Sequence, residues 1–382
     1  MNITNPTDSS TIQYIIPRLN DLYYNYNANT PVLSDSFSVV GSVNYSDTQY
    51  VLAYTYNGKD YFRGSLSSDL NSLAFISNID FNGSQWIAVG GTYEGSGATL
   101  ALSSDGINWV APISNQLPYG IIDLAWGNKT WVAIGSDGNG IYNFPNRIQY
   151  SYDGLNWNLL GGNPLSVNSW NEIVITSISH NGQYFLISFF DSHDYGGGNV
   201  NRAYVAKSTD GATWTNKTNI TGVFPALGGE SFFNSLISLA WNGRIWVGMN
   251  AGSTYPIGYS SDGINWSRAA FPVISIGVSV AYNGTRFLAA SGNGADPYYL
   301  VTSTDGNSWS GILSPLTNIT DITWNGTYWI VSNNYTGNNP VIAYSSDLVT
   351  WNTSNSAEDL FSEVGTTAVT SRNKKNFYIT YA

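Results

Sequence analysis

The 382-residue sequence contains no cysteine. That excludes disulfide frameworks, zinc–cysteine sites, iron–sulfur clusters and thiol catalysis together. It has two histidines, His180 and His193, too few for a multi-histidine metal centre within one chain. Charged residues are scarce at 10%, against about a quarter in an average domain. The balance is acidic: 25 Asp and Glu against 14 Lys and Arg, a formal charge of −11. Phosphate-binding surfaces need clustered Lys and Arg, so no nucleic-acid partner is expected. Docking on anionic lipid is disfavoured for the same reason. No apolar run is long enough to span a bilayer, and direct membrane insertion is not expected. The start, Met1 to Asp8, lacks the basic and apolar regions of a secretory signal peptide.

What is abundant points one way. There are 14 Trp, 27 Tyr and 39 Gly, and aromatic and turn residues favour an all-β chain. Two short patterns alternate along it. One is a hairpin, with an aromatic residue four positions after the Asn of an Asn-Gly turn. It reads Asn82…Trp86, Asn181…Phe185, Asn242…Trp246, Asn283…Phe287 and Asn325…Trp329; Gly127-Asn128…Trp131 inverts the dipeptide. Ser46-Asp47…Tyr50 and Asn373-Lys374…Phe377 read as degenerate copies. Asn-Gly predicts a type I′ turn with two positive φ angles. The strand before each turn is aromatic one position back, aliphatic three back, and small or polar four back. That pattern suits an innermost strand where sheets converge.

The other pattern is Ser-x-Asp-Gly-x-x-Trp, at Ser103–Trp109, Ser151–Trp157, Ser208–Trp214, Ser260–Trp266 and Ser303–Trp309. Ser345–Trp351 carries Leu348 in place of Gly, and Ser67–Leu73 lacks both Gly and Trp. The Ser hydroxyl and Asp carboxylate can bind turn N–H groups while the Trp packs between sheets. The structural aspartates on this reading are Asp69, Asp105, Asp153, Asp210, Asp262, Asp305 and Asp347, about 46 residues apart. Two hairpins per period of that size predict a β-propeller with four-stranded blades. These motifs resemble the Asp-box, or neuraminidase-type, repeat of sialidase-like propellers, with one residue fewer between Asp and Gly. They are also similar to propeller proteins of large DNA viruses and phages. The resemblance covers residues 36–382 and implies the fold rather than a function.

Eight hairpins against seven boxes lead to an expectation of eight blades, with seven as the alternative. Thr11–Pro17 and Leu22–Tyr26 would then supply the two strands missing after the last hairpin. On this reading residues 1–10 are a polar tail, 11–382 a single propeller, and 11–26 and 365–382 share the closing blade.

The B–C and D–A loops of such a fold lie beside the mouth of the central channel, and loops on a rigid scaffold carry function. They hold the candidate binding residues Tyr93, Glu94, Asp137, Asn139, Trp170, Glu172, His193, Asp194, Tyr195, Glu230, Asp296, Tyr298, Tyr299 and Tyr335. Carboxylates beside aromatic rings suit sugar recognition. His193 between Asp191 and Asp194 is too sparse to name a metal site, and no cofactor is expected. Asp123 and Asp321 fall at the small-residue position near the channel. The sialidase resemblance implies three substrate-binding arginines, a Tyr–Glu nucleophile pair and an Asp acid/base. In the family's early Arg-Ile-Pro motif Ile15 stands where the arginine would be, so the triad is not expected here. No catalytic residue is assigned. Twelve Asn-x-Ser/Thr sequons are present, among them Asn216 and Asn219.

The sequence reading is therefore a non-catalytic binding or structural propeller on a virion or cell surface. Its partners would be host glycans or proteins, or other surface proteins, with the oligomeric state open. A glycoside hydrolase or lyase using loop carboxylates is the first alternative. A cytoplasmic protein-interaction propeller is the second.

Overall fold

The computed structural model describes residues 36–372 apart from 43–51, 71–72, 92–98, 113–119, 136–146, 162–163, 168–172, 192–201, 225–234, 252–254, 271–273, 275, 293–298, 335–339 and 362–364. These residues build seven blades, each a meander of antiparallel strands. Blade 1 has the order β29 (Ala368–Ser371), β1 (Ser38–Gly41), β2 (Leu52–Thr55), β3 (Tyr61–Arg63). The segment β4 (Ser65–Leu66) follows it. Blade 2 is β5 (Phe75–Phe81), β6 (Trp86–Gly91) and β7 (Leu100–Ser103), joined through a Leu102–Val110 bridge to the segment at β8 (Asn108–Trp109). Blade 3 is β9 (Ile121–Gly127), β10 (Thr130–Gly135), β11 (Arg147–Ser151) and β12 (Asn158–Leu159). Blade 4 is β13 (Ile173–His180), β14 (Phe185–Asp191), β15 (Arg202–Ser208) and β16 (Thr215–Asn219). Blade 5 is β17 (Leu236–Trp241), β18 (Trp246–Asn250), β19 (Ile257–Ser260) and β20 (Ser267–Arg268). Blade 6 is β21 (Gly277–Tyr282), β22 (Phe287–Ser291), β23 (Leu300–Ser303) and β24 (Ser310–Ile312). Blade 7 is β25 (Ile319–Trp324), β26 (Trp329–Asn333), β27 (Ile342–Ser345) and β28 (Asn352–Thr353), followed by helix α1 (Asn355–Phe361).

The count of eight blades is thus corrected to seven, and two misread segments explain it. The innermost strand of blade 1 is β29, and the expected hairpin at Ser46-Asp47 falls between β1 and β2, the second and third strands of that blade, where 43–51 lie outside the described residues. Ser67–Leu73 is not a box turn. Asp69 sits in a 3-10 turn, Ser68–Leu70, after β4 has paired in parallel with β8 of the next blade. Blade 1 has a different box, Thr55-Tyr56-Asn57-Gly58-Lys59-Asp60-Tyr61. There Gly58 N–H donates to Thr55 Oγ1 at 2.9 Å, and the N–H groups of Lys59 and Asp60 donate to Asn57 Oδ1 at 2.8 and 2.9 Å. A hydroxyl and an amide oxygen offer the same acceptors as Ser and Asp, so the turn survives a change of letters.

The partner of the C-terminal strand also differs from the expectation. β29 pairs with β1, Ser371 opposite Ser38. Thr11–Pro17 and Leu22–Tyr26 lie outside the described residues. The last hairpin is offset by one. Arg372 N–H donates to Phe37 O at 2.9 Å, as Asn325 N–H does to Tyr328 O at 3.0 Å in blade 7. Arg372 therefore holds the turn-Asn place, and Val369 the aliphatic one.

The Asn-Gly turns are not of type I′. Glycines 83, 182, 243, 284 and 326 have φ between 92 and 103°, while the Asn before each is not left-handed. Each Asn instead accepts with its side chain: Asn242 Oδ1 takes the N–H of Arg244 at 2.9 Å and of Ile245 at 2.7 Å. Only the inverted copy is type I′, with Asn128 at φ 48° and Lys129 at 62°.

The core lies between blades. Ile87, Val89 and Leu100 of blade 2 pack with Leu124, Trp131 and Trp157 of blade 3. Ring pairs on the first two strands repeat around the molecule: Phe81–Trp86 at 4.5 Å, Trp126–Trp131 at 5.0 Å, His180–Phe185 at 4.6 Å and Trp324–Trp329 at 5.3 Å between centroids. In blade 1 the pair is Ser38–Ser371, hydrogen-bonded at 2.7 Å.

Candidate functional site

The seven innermost strands touch in sequence from β5 to β25, and β29 touches both β25 and β5. They surround a central cavity of about 270 Å³. An innermost strand has a free inner edge, whose N–H and C=O groups need partners. The side chains four positions before each turn supply many of them. Asp123 Oδ2 accepts Ile178 N–H of the next blade at 2.9 Å; its Oδ1 accepts the Asn78 side-chain amide of the preceding blade and Leu124 N–H at 2.8 Å. Asp321 repeats this, accepting Val369 N–H at 2.9 Å and the Ser279 hydroxyl at 2.8 Å. Ser238 Oγ accepts Val280 N–H at 3.1 Å. Asp80 Oδ2, from its own position, accepts Trp126 N–H at 3.1 Å.

A second set of clips runs in the opposite electrical sense. The hydroxyls of Ser77, Thr320 and Thr367 donate to the carbonyls of Ile121, Thr366 and Ile76, each on the neighbouring blade, at 2.5 to 2.9 Å. Among the described residues no Lys or Arg lines the cavity, and the lining carboxylates are Asp80, Asp123 and Asp321. Each is held by donors of the fold. His180 also lines it, buried, with Nδ1 accepting Gly182 N–H at 3.0 Å. Burial pushes its imidazole down to about 4, so it is neutral at physiological pH.

The Ser-x-Asp-Gly turns lie at the end of the blades where the A–B hairpins also turn. Tyr184, beside the blade 4 hairpin, donates its hydroxyl to Asp262 O at 2.8 Å, and Asn128 Nδ2 donates to Thr209 O at 2.9 Å. Asp105, Asp153, Asp210, Asp262, Asp305 and Asp347 share one geometry. Each Oδ1 accepts two backbone N–H groups and the box Ser hydroxyl; for Asp262 the donors are Ile264 at 2.8 Å, Asn265 at 2.7 Å and Ser260 at 3.0 Å. Burial alone would raise the Asp262 carboxyl, but these donors outweigh it and hold it down to about 2. In five turns the box Trp donates its indole N–H to the Gly carbonyl, as Trp266 does to Gly263 at 3.1 Å. Where Leu348 replaces Gly, at φ 65°, Trp351 Nε1 is buried and has no partner among the described residues.

The candidate loop residues fall almost wholly outside the described residues. This holds for Tyr93, Glu94, Asp137, Asn139, Trp170, Glu172, His193, Asp194, Tyr195, Glu230, Asp296, Tyr298 and Tyr335. Tyr299 is described; it precedes β23 and packs half-buried against the cluster of Leu300, Leu316 and Ile319. Asp191 ends β14, fully buried and opposite Arg202 in register. The inter-blade clips escaped the sequence reading because each partner lies one repeat away, as with Asp123 and Ile178, 55 positions apart. The signal for them was the acceptor chemistry shared by Asp, Asn and Ser at one strand position.

No family model matches the chain, and no curated protein matches it in sequence. Solved structures do match in fold. The extracellular domain of a candidate hybrid two-component system from B. thetaiotaomicron is 14% identical, with a TM-score of 0.50. The match covers 81% of this chain and 38% of that one, so this chain spans well under half of that protein's length. An α-L-arabinanase from Penicillium chrysogenum is 13% identical over 70% of this chain and 91% of its own, with a TM-score of 0.44. A candidate 6-phosphogluconolactonase from Bacteroides fragilis is 12% identical over 87% and 97%, with a TM-score of 0.49. At these identities the likeness shows the β-propeller fold alone.

Proposed function

We propose that the chain is a non-catalytic binding or structural propeller of the Asp-box type, displayed on a virion or cell surface. There it serves host or glycan attachment, or decorates the particle. One observation carries the reading: the channel and box carboxylates described above are committed as acceptors to N–H and hydroxyl donors of the fold. Asp123 and Asp321 hold neighbouring blades together, and the box aspartates close turns. A general acid or nucleophile has to exchange a proton or attack a substrate atom, which a carboxylate saturated by fixed donors does poorly. The similarity of the repeat to viral propellers supports the setting. The aromatic and acidic loop residues, Tyr195 and Tyr298 among them, are the proposed contact points.

The test is a glycan-array screen of the purified chain, with a product-release assay on every ligand bound. Binding without turnover, lost in Tyr195→Ala or Tyr298→Ala, is the expected result. Release of product would overturn the non-catalytic reading and make Glu172 and Glu230 the first residues to replace.

A further inference from the structure

The seven outermost strands are unequal. β3 and β24 have three residues; β8, β12, β20 and β28 have two; β16 has five. The far edge of β16 pairs with no strand among the described residues. An exposed edge of that length is a template for pairing with another chain, and proteins blunt such edges. The sequence of this edge, Thr215-Asn216-Lys217-Thr218-Asn219-Ile220-Thr221, places two consecutive sequons on it.

Seven other sequons are compromised by the fold, and those at Asn2, Asn44 and Asn334 lie wholly or partly outside the described residues. Asn325 is buried, and its amide donates to Ser36 O at 3.3 Å. The Asn128 amide donates to two carbonyls at 2.9 Å, and that of Asn265 to the Asp262 carboxylate at 2.7 Å. At Asn318 and Asn352 the sequon hydroxyls donate outside the sequon, Thr320 to Thr366 O of the neighbouring blade and the buried Ser354 to Lys59 O. Asn82 and Asn283 hold hairpin turns and draw the sequon hydroxyls onto their own carbonyl oxygens, at 3.1 and 2.9 Å. Asn216 and Asn219 differ in exposure: both side chains are exposed on the outer rim, and Thr218 and Thr221 are half-exposed, Thr218 donating to Asn216 O within its own sequon at 3.2 Å and Thr221 Oγ1 accepting Ala203 N–H at 2.9 Å. Thr221 N–H donates to Asn219 Oδ1 at 2.9 Å, bringing that acceptor amide onto its own sequon threonine. Asn216 stands at φ 54°, beside a register break between Val205 and Lys207.

We propose that Asn216 and Asn219 are acceptors for N-linked glycans, and that the sugar shields the long edge of blade 4. The donor class is a lipid pyrophosphate-linked oligosaccharide, used by a transferase of the producing cell. The amide nitrogen attacks the anomeric carbon, a C–N bond forms as the C–O bond to pyrophosphate breaks, the lipid pyrophosphate leaves, and the amide loses one proton to base. The proposal rests on the reading of the chain as a surface component.

The experiment uses the chain isolated from the particles or cells that make it. Treatment with a peptide amidase in 18O water turns each glycosylated Asn into labelled Asp, which peptide mass mapping locates. Label at Asn216, Asn219 or both is expected. In the producing cells, N216Q/N219Q should then lose that mass and self-associate more strongly by light scattering. Two unlabelled residues overturn the proposal, whatever the state of the other sequons. Antibody labelling of intact particles separates the two readings. A chain that antibody reaches but that carries no label sinks the glycan proposal alone. A chain that antibody cannot reach sinks the surface reading.

Discussion

Replacing Asp262 separates the two things a box carboxylate could provide, an acceptor and a charge. In Asp262→Ala the N–H groups of Ile264 and Asn265 lose acceptors at 2.8 and 2.7 Å, and the Ser260 hydroxyl loses one at 3.0 Å. Because Asn265 is exposed, water replaces part of this, and the expected cost is about 1.5 kcal/mol, in the lower half of the usual range for orphaned donors. Asp262→Asn keeps an oxygen in place. Blade 1 already runs its turn that way, with Asn57 Oδ1 taking two N–H groups at 2.8 and 2.9 Å. The Asn variant therefore keeps the Oδ1 acceptor and loses the charge, together with the Oδ2 acceptor of the exposed Asn265 side-chain amide at 2.7 Å. The carboxyl falls from its usual 3.8 to about 2, nominally about 2.4 kcal/mol at neutral pH. The group is largely in contact with water, and screening cuts this to about 1 kcal/mol or less. That share is present in full above pH 3.8 and is lost as pH falls through 2. Urea midpoints at pH 7 give the cost, and hydrogen exchange at the Ile264 and Asn265 amides gives its location. Fast exchange in the Ala variant with near-native protection in the Asn variant is expected. Equal loss of protection in both would refute the claim that acceptor geometry holds the turn.

Other residues test the packing. His180→Phe should remove an acid sensitivity: the imidazole, lowered from 6.5 to about 4, makes the wild type lose about 3 kcal/mol as pH falls across that window, with full stability above 6.5. Urea midpoints at pH 7 and 4.5 should converge in the variant, and an unchanged acid slope would place the loss elsewhere. A Cβ on Gly127 would fall on the His180 ring, so Gly127→Ala should cost about 1–3 kcal/mol and be partly rescued by His180→Ala; additive losses would deny the contact. Leu348→Gly relieves a left-handed Leu worth about 1–2 kcal/mol but empties a side chain only 6% exposed, worth more than about 2–5 kcal/mol by analogy with Leu→Ala. A lowered melting temperature is expected, and a raised one would mean that backbone strain dominates.

The blades were legible where the repeat keeps its letters. Trp126, Trp241 and Trp324 mark innermost strands, and Asp105 to Asp347 mark C–D turns, because ring pairs and turn acceptors are local chemistry repeated from blade to blade, the ring pairs in six blades. The count failed where function was kept but letters changed. Thr55 and Asn57 hold a box turn without Ser or Asp, while Ser67-Ser68-Asp69 has the letters and none of the geometry. Letter matching rewards Asp69 and overlooks Asn57. An inventory of turn acceptors would admit Asn57, since Asn and Asp share the one oxygen the turn uses.

The site was legible only as a set of positions. The small-or-polar residue four places before each turn looked like a demand for space. It is also a demand for an acceptor, because the next blade offers an inner-edge N–H, and Asp123 and Asp321 meet it with a carboxylate oxygen, Ser238 with a hydroxyl. Space alone would allow Ala everywhere, as Ala368 does in blade 1. That distinction bears on function. A departure from the repeat that the fold itself uses, such as a channel Asp bonded to a neighbouring blade, is no evidence for a ligand. A departure that the fold does not use is. The five-residue edge of β16 carries two sequons with exposed Asn side chains where the equivalent strands of other blades have two or three residues; the fold uses Thr218 and Thr221 as bonding partners but leaves both Asn side chains on the surface. By that criterion blade 4 has a stronger claim to a role beyond folding than the conspicuous carboxylates of the channel.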